Sequence, residues 1–551
     1  MRFLPAIVLL LISPAANAEN EEILKLNNAT RALLDTLVEE GVLSAERAQQ
    51  ILDDAERKAA DAVRQQEVDE VGGEPGVIRV PYVPEYVRED IKNEVSSDLQ
   101  PKVVEDVVEQ AKKEGWGIAD ALPDWTRRFS FSGDIRLRLQ GDYYSSNNPP
   151  IGTAFVDWNE VNDNGGFSES FLNTTEDRTR ARLRMRLGVK AKVTDSLVAG
   201  IRIATGSVGN PVSTNQTMGN YFGSNELVLD RAYLKYDAVT AYDFAWLTLW
   251  GGRMPNPWFT TELVWDKDVN PDGFAATYRY SMAGSNNTRG LYNRDRTLFF
   301  TLGAFVVDEI ELSSDDKWLF ATQVGLDMTF KSKSRFKIAL AYYDYQNIEG
   351  RRSPLSQPNL YDSTAPAFVQ KGNSMFDISN EPGEPFQRFG LAPDYNLLDL
   401  AFVYDFARFA PYHFIITGDY VENIGYDADE IVQRLEGGAM FANSTFFTDD
   451  PRNEETTGYK LQFVLGWPNT LKRNSWQAFF AFRHLERDAV LDAFTDSDFH
   501  LGGTNAEGWI VGGSYGLVDN VYLKARYLSA DEIVGPPLGI DVLQIDLNTK
   551  F

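Results

Sequence analysis

Residues 178–192 read Arg-Thr-Arg-Ala-Arg-Leu-Arg-Met-Arg-Leu-Gly-Val-Lys-Ala-Lys, which places a cation at every even position except Gly188. Arg178, Arg180, Arg182, Arg184, Arg186, Lys190 and Lys192 carry charge that a protein interior cannot hold unpaired. The chemistry such a column can do is electrostatic: it attracts anions or carboxylates, because guanidinium stays charged at any relevant pH. Between the cations stand Ala181, Leu183, Met185, Leu187, Val189 and Ala191. Only an extended strand puts the two sets on opposite faces. Water must therefore lie on one side of this segment and an apolar phase on the other.

Other residue types that could do chemistry are sparse. Gly512-Gly513-Ser514-Tyr515-Gly516 satisfies G-x-S-x-G. A nucleophile elbow needs a strand-to-helix turn, however, and Ser514 sits inside the alternation Trp509, Val511, Gly513, Tyr515, Leu517. Small residues facing inward are the better reading. The chain has only His413, His484 and His500, which lack metal-ligand spacing and are expected to be exposed or inward-facing, His500 in an outer loop. Asp268-Val269-Asn270-Pro271-Asp272-Gly273 matches the first half of a calcium loop, yet Arg279 stands where the bidentate glutamate belongs. Asp268, Asn270 and Asp272 thus form either a structural cation loop or an acidic turn. With no cysteine, disulfides and thiolate metal sites are excluded. Nothing here calls for a cofactor or for catalysis.

The net charge of −27, from 80 acidic and 53 basic residues, disfavours nucleic acid as a partner. Aromatics at 13% and 42 glycines suit strands, tight turns and interfacial girdles. A mean hydropathy of −0.31 does not exclude a membrane protein, because alternating strands average out.

The elements that must position these residues change in kind along the chain. Arg2, the apolar stretch 4–12 and Ala16-Asn17-Ala18 predict a cleaved signal over residues 1–18. Residues 19–70 read as a helical or coiled-coil periplasmic segment, with Ala48, Leu52, Ala55, Ala59 and Ala62 at alternating four- and three-residue steps. A solvated amphipathic helix is the alternative. Residues 71–126 read as a linker plus a short helix.

From residue 127 onward the pattern is period two through about sixteen strand candidates. Phe129, Phe131, Ile135, Leu137 and Leu139 oppose Asp134, Arg136, Arg138 and Gln140, and Leu543, Ile545 and Leu547 oppose Gln544, Asp546 and Asn548. Short connections such as Thr194-Asp195-Ser196 alternate with long ones such as 145–175, 347–395 and 426–455. The expected fold is an all-β transmembrane barrel of antiparallel strands over residues 127–551, with short periplasmic turns and long outer loops. The stretch between Ser281 and Arg296 is long where a turn is expected, and that between Asp308 and Lys317 short where a loop is expected.

Val80-Pro81-Tyr82-Val83-Pro84, Pro123-Asp124-Trp125, Gly133-Asp134-Ile135-Arg136-Leu137-Arg138 and Trp265-Asp266-Lys267-Asp268-Val269-Asn270-Pro271 resemble a family of bacterial outer-membrane porins, from about residue 80 to 551. The terminal Phe551 resembles the signature read by the barrel assembly machinery. The resemblance implies the outer membrane of a Gram-negative bacterium, lipid around the barrel and small hydrophilic solutes or ions through it; general porins are often homotrimers, and the lipid-facing residues do not distinguish a trimer from a monomer. In general porins the third outer loop folds into the pore and its carboxylates face a basic wall. Carried over, the loop 254–273 supplies Glu262, Asp266, Asp268 and Asp272, and the wall is Arg136, Arg138, Arg178, Arg180, Arg182, Arg184, Arg186, Lys190, Lys192 and Arg202. An outward-lying loop, with the ladder paired to carboxylates elsewhere on the wall, is the alternative. A passive channel without turnover is the favoured function. An envelope tether acting through the N-terminal helices is the second reading, and an outer-membrane hydrolase the third.

Overall fold

The computed structural model describes residues 128–165, 170–240, 244–282, 296–311, 313–380, 388–442 and 448–551. The signal, helical segment and linker expected before residue 127 lie outside the described residues.

Sixteen antiparallel strands form the wall. They are β1 Phe129–Tyr144, β2 Arg178–Lys192, β3 Leu197–Thr205, β4 Leu227–Val239, β5 Ala245–Arg253, β6 Asp272–Ser281, β7 Arg296–Asp308 and β8 Lys317–Thr329. The second half comprises β9 Arg335–Gln346, β10 Asn396–Phe409, β11 Tyr412–Asn423, β12 Thr457–Gly466, β13 Trp476–Leu485, β14 Ala506–Val518, β15 Val521–Glu532 and β16 Gly539–Lys550. Each strand pairs with the next, and β1 closes on β16 from Asp134↔Lys550 to Tyr144↔Ile540. Closure leaves no strand edge, which is the condition for a sheet to cross lipid. Phe551 extends the seam: its N–H donates to Gly133 O at 3.0 Å and its carbonyl accepts from Gly133 N at 2.8 Å. A Cβ on Gly133 would stand 2.6 Å from the Phe551 ring, so the seam needs a glycine there.

The alternation works as the sequence predicts. Phe131, Leu137, Leu139, Leu234, Phe274, Phe320 and Val324 are exposed on the outside, whereas Arg138, Gln140 and Gln323 are buried inside. An apolar outer surface of this extent is stable only against hydrocarbon. The long connection after β6 and the short one after β7 do not break the phase, since β6 pairs with β7 and β7 with β8 in continuous ladders.

The outer loops are L1 (145–177), L2 (206–226), L3 (254–271), L4 (309–316), L5 (347–395), L6 (424–456), L7 (486–505) and L8 (533–538). They do not merely overhang the barrel. Trp158 and Val161 on helix α1 (Trp158–Asn164) of L1 join Trp258, Leu263 and Trp265 of L3, Phe389 of L5, Leu491 of L7 and inward-facing Phe305, Tyr343 and Tyr345 in one buried apolar cluster. Segments Ser374–Asp377, Phe389–Leu391, Met440–Ala442 and Thr448–Asp449 pair into a small sheet from L5 and L6. At loop level the interior contains a protein core, because the loops carry enough aromatic residues to bury against the wall.

Candidate pore constriction

Strands β1 and β2 bring the arginines together face to face. Their register sets Arg136 opposite Arg184 and Arg138 opposite Arg182, like charges on adjacent strands. Such pairs are destabilising unless carboxylates are interleaved, and they are. Asp134 accepts from Arg184 Nη2 at 2.7 Å and Arg186 Nε at 2.8 Å. Asp142 accepts from Arg180 at 2.8 Å, and Asp546 on β16 accepts from Arg138 Nε at 2.7 Å. Arg202 pairs with Asp230 on β4. These partners come from the wall itself.

Arg178, Lys190 and Lys192 stand apart, exposed at the two ends of β2, with Lys192 paired to Asp195 of the turn. Two arginines inside the run have no carboxylate partner among the described residues. Arg136 donates to Asn215 of L2, and Arg182 to Gln140 at 3.3 Å and Ser213 at 3.5 Å. The Nε of each is buried without a hydrogen-bond acceptor.

L3 crosses the barrel. On one side Gln323 of β8 bonds both N and O of Phe259, Asp399 of β10 accepts from Thr260 Oγ1 at 3.2 Å, and Asp419 of β11 accepts from Thr261 Oγ1 at 2.5 Å. On the other side Asp268 accepts from Arg186 at 3.0 Å and from Thr214 Oγ1 at 2.9 Å, and Asn270 Oδ1 accepts from Arg231 at 2.7 Å. Trp258 and Trp265 lie edge-on to Tyr343 of β9, with centroids 5.6 and 5.7 Å away. The loop is thus fixed at both ends and along its length.

Of the four L3 carboxylates expected to face the ladder, Asp268 alone meets it. Glu262 pairs with Lys460 of β12 at 2.8 Å, on another sector of the wall. Burial would raise its carboxyl, but Lys267 and Lys460 hold it well below the ordinary range. Asp266 makes no ion pair among the described residues: it accepts from Ser497 of L7 and from Asp268 N, and burial with Asp268 and Asp496 close by pushes it well above the usual carboxylate range. Asp272 is the first residue of β6 and pairs with Arg253. Asp268, Asn270 and Asp272 consequently turn to different partners and do not converge. Among the described residues no three His, Asp or Glu side chains are placed to hold a metal ion.

The residue that sequence reasoning missed is Asp498 of L7. It accepts from Arg138 Nη1 at 2.8 Å, Arg526 Nη2 of β15 at 2.6 Å and Gln544 Nε2 at 2.9 Å. Burial alone would raise its carboxyl, but Arg138 and Arg526, with Arg136 and Arg182 behind them, hold it well below the usual range. The only available signal was its place in the acidic run Asp492-Ala493-Phe494-Thr495-Asp496-Ser497-Asp498, which gives no hint of direction. His500, expected to be exposed or inward-facing, is buried instead, with Nε2 at 2.9 Å from Leu538 O. Burial and Lys371 keep it well below its ordinary pKa, hence neutral. Ser514 lies within β14, hydrogen-bonded to Thr470 and Gln477.

A closed sixteen-strand barrel with an apolar belt, a loop fixed across its interior and a charged wall facing that loop defines a channel of the outer-membrane porin class. Residues 27–551 match the family described as "Putative porin", and the chain belongs to that family. No curated protein matches its sequence. Among solved structures it is similar to the outer membrane channel DcaP of Acinetobacter baumannii, at 12% identity and a TM-score of 0.39, covering 77% of this chain and 97% of that one. It is also similar to Pseudomonas putida OprB in its high-pH structure, at 11% identity and a TM-score of 0.41, covering 77% and 95%. A third is Salmonella typhi OmpF in complex with daunomycin, at 11% identity and a TM-score of 0.37, covering 77% and 97%.

Proposed function

We propose that the protein is a passive channel for small hydrophilic solutes that prefers anions at the point where L3 and L7 meet the β1–β2 wall. The observation that carries this reading is the pair Arg136 and Arg182, which bond only to neutral acceptors while standing beside Arg138 and Arg184. Wall and loop carboxylates neutralise their neighbours and leave these two as the local surplus. Positive charge fixed in a narrow, low-dielectric passage sets ion preference. Export by the signal at residues 1–18, a helical periplasmic segment over 19–70 with a linker and short helix over 71–126, delivery of Phe551 to the barrel assembly machinery and assembly as a homotrimer belong to the same reading.

Single-channel recording in a planar bilayer, with reversal potential under a salt gradient, tests the proposal. Wild type is expected to conduct in steps and favour anions, and Arg136→Gln/Arg182→Gln to shift the permeability ratio toward cations by about tenfold. A folded barrel that never conducts would sink the channel reading; an unchanged ratio in the variant would sink the assignment of selectivity to these arginines.

A further inference from the structure

A cavity of about 660 Å³ opens between L2, L3, L5 and L7 at the outer ends of β4, β7 and β8. That volume accommodates a drug-sized organic molecule. Its walls are built from Trp265, Phe305, Leu319, Ile348, Phe368 and Phe494. Trp265 and Phe494 stack with centroids 5.5 Å apart and planes 23° off parallel, so the apolar lining includes aromatic ring edges. A lining of this kind gives nothing to a hydrated ion and a great deal to an apolar body.

The rim is charged and asymmetric. Lys317 is occupied: its Nζ donates to Asp308 at 3.1 Å and to Ala365 O at 2.9 Å, and the side chain is only 2% exposed. Its partner Asp308 remains 32% exposed. On the adjacent strand β6, where it pairs in register with Val306 of β7, Asp272 is 52% exposed and its partner Arg253 34%. Two carboxylates therefore reach the solvent against one cation. The arginine wall, on β15, β16, β1 and β2, borders the cavity through Ser213 and Asp268, which line it and bond Arg182 and Arg186.

We propose that this cavity is a capture site for organic cations with an aromatic or apolar body, the body lying on Trp265 and Phe494 and the ammonium at Asp272 and Asp308. The proposal rests on the channel reading and goes beyond it: it names a solute class held at the loop mouth beside L3, not one passed through the anion-preferring constriction.

The test is a titration of the refolded full chain in detergent micelles with 1-naphthylmethylammonium, followed by its fluorescence against protein-free micelles. Naphthalene-1-sulfonate and methylammonium serve as the charge and body controls. Saturable binding is expected, at least tenfold tighter than for either control. Ala367→Trp, at an exposed position of the lining, is expected to weaken binding at least tenfold, and Asp272→Asn/Asp308→Asn about tenfold. The second variant keeps the proposal testable if the tryptophan variant does not fold. Non-saturable uptake, equal affinity for the sulfonate, or unchanged affinity in both variants overturns the proposal. Conductance on the same preparations separates the two readings. Protein that conducts without binding overturns the capture site alone, and protein that binds without conducting overturns the channel reading and leaves the site standing.

Discussion

Replacing Asp498 by Asn removes the one loop carboxylate that enters the arginine wall from L7 while preserving the shape of the side chain. Arg138 keeps Asp546, but Arg526 loses its carboxylate partner and retains only Gln544. One positive charge is thereby uncovered at the proposed constriction. An ion passing at ~6 Å in water feels about 0.7 kcal/mol from a unit charge. Screening at ~0.1 M salt, where the Debye length is about 10 Å, reduces this to roughly 0.4 kcal/mol. The anion gains and the cation loses, so the permeability ratio moves by about 0.8 kcal/mol, roughly fourfold toward anions. Reversal potential in a bilayer under a salt gradient reads this directly, and the shift is expected to shrink at 1 M salt. The variant also leaves a mostly buried guanidinium underpaired, at a cost of about 3 kcal/mol read as a lower urea midpoint for unfolding of the refolded barrel. A ratio that stays fixed or moves toward cations would refute the placement of Asp498 in the conducting path. An unchanged urea midpoint would refute its role as a clamp.

The pH dependence follows with a definite sign. The Asp498 carboxyl lies below its unfolded value of about 3.9, so its stabilisation is fully present above pH ~4 and is lost as pH falls through the folded value; acid unfolding of wild type and of Asp498→Asn should converge below that window, and a constant gap down to the lowest pH would contradict it. Thr260→Ala/Thr261→Ala removes the L3 hydroxyls bound by Asp399 and Asp419, leaving these buried carboxylates only Tyr343 Oη and Thr261 N as donors among the described residues, and should turn steady openings into flickering ones; quiet wild-type currents would show that the hydroxyl contacts do not hold the loop. Gly133→Val should clash with the Phe551 ring at the seam and slow refolding into lipid vesicles, read by the fraction of folded barrel; wild-type yield would show that the ring moves aside without consequence.

What was legible in the sequence is what period two encodes. The ladder in β2, its apolar reverse face and the strand pairs around it are local, so alternation alone sorts inside from outside. The closed sixteen-strand wall follows from repeating that pattern. The docking of loops was not legible, because it depends on contacts between segments hundreds of residues apart. Asp498 meets Arg138 across such a distance, and nothing in its neighbours announces it. Glu262 illustrates the converse error: its loop does enter the barrel, yet the carboxylate turns to Lys460 because the backbone of L3 is held against β8, β10 and β11 first. His500 stands in an outer loop, as read, but its burial was not legible for the same reason, since L7 folds back onto the wall.

The two inserted loops also explain how so basic a wall survives. Five arginines in alternate positions would repel one another strongly at the reduced dielectric of a barrel interior. Asp134, Asp142 and Asp546 on the wall cancel part of that charge, and Asp268 from L3 and Asp498 from L7 cancel more, each bonded to an arginine at 3.0 Å or closer. Neutralising every arginine would erase selectivity; neutralising none would keep the loops from settling. Arg136 and Arg182, bonded to amides and a hydroxyl, are what this compromise leaves over, and they sit next to the arginine that both the wall and L7 hold, Arg138. On this argument the loops and the selectivity are coupled: a change that frees L7 must alter ion preference and loop mobility together, and a variant that changes one without the other would break the link.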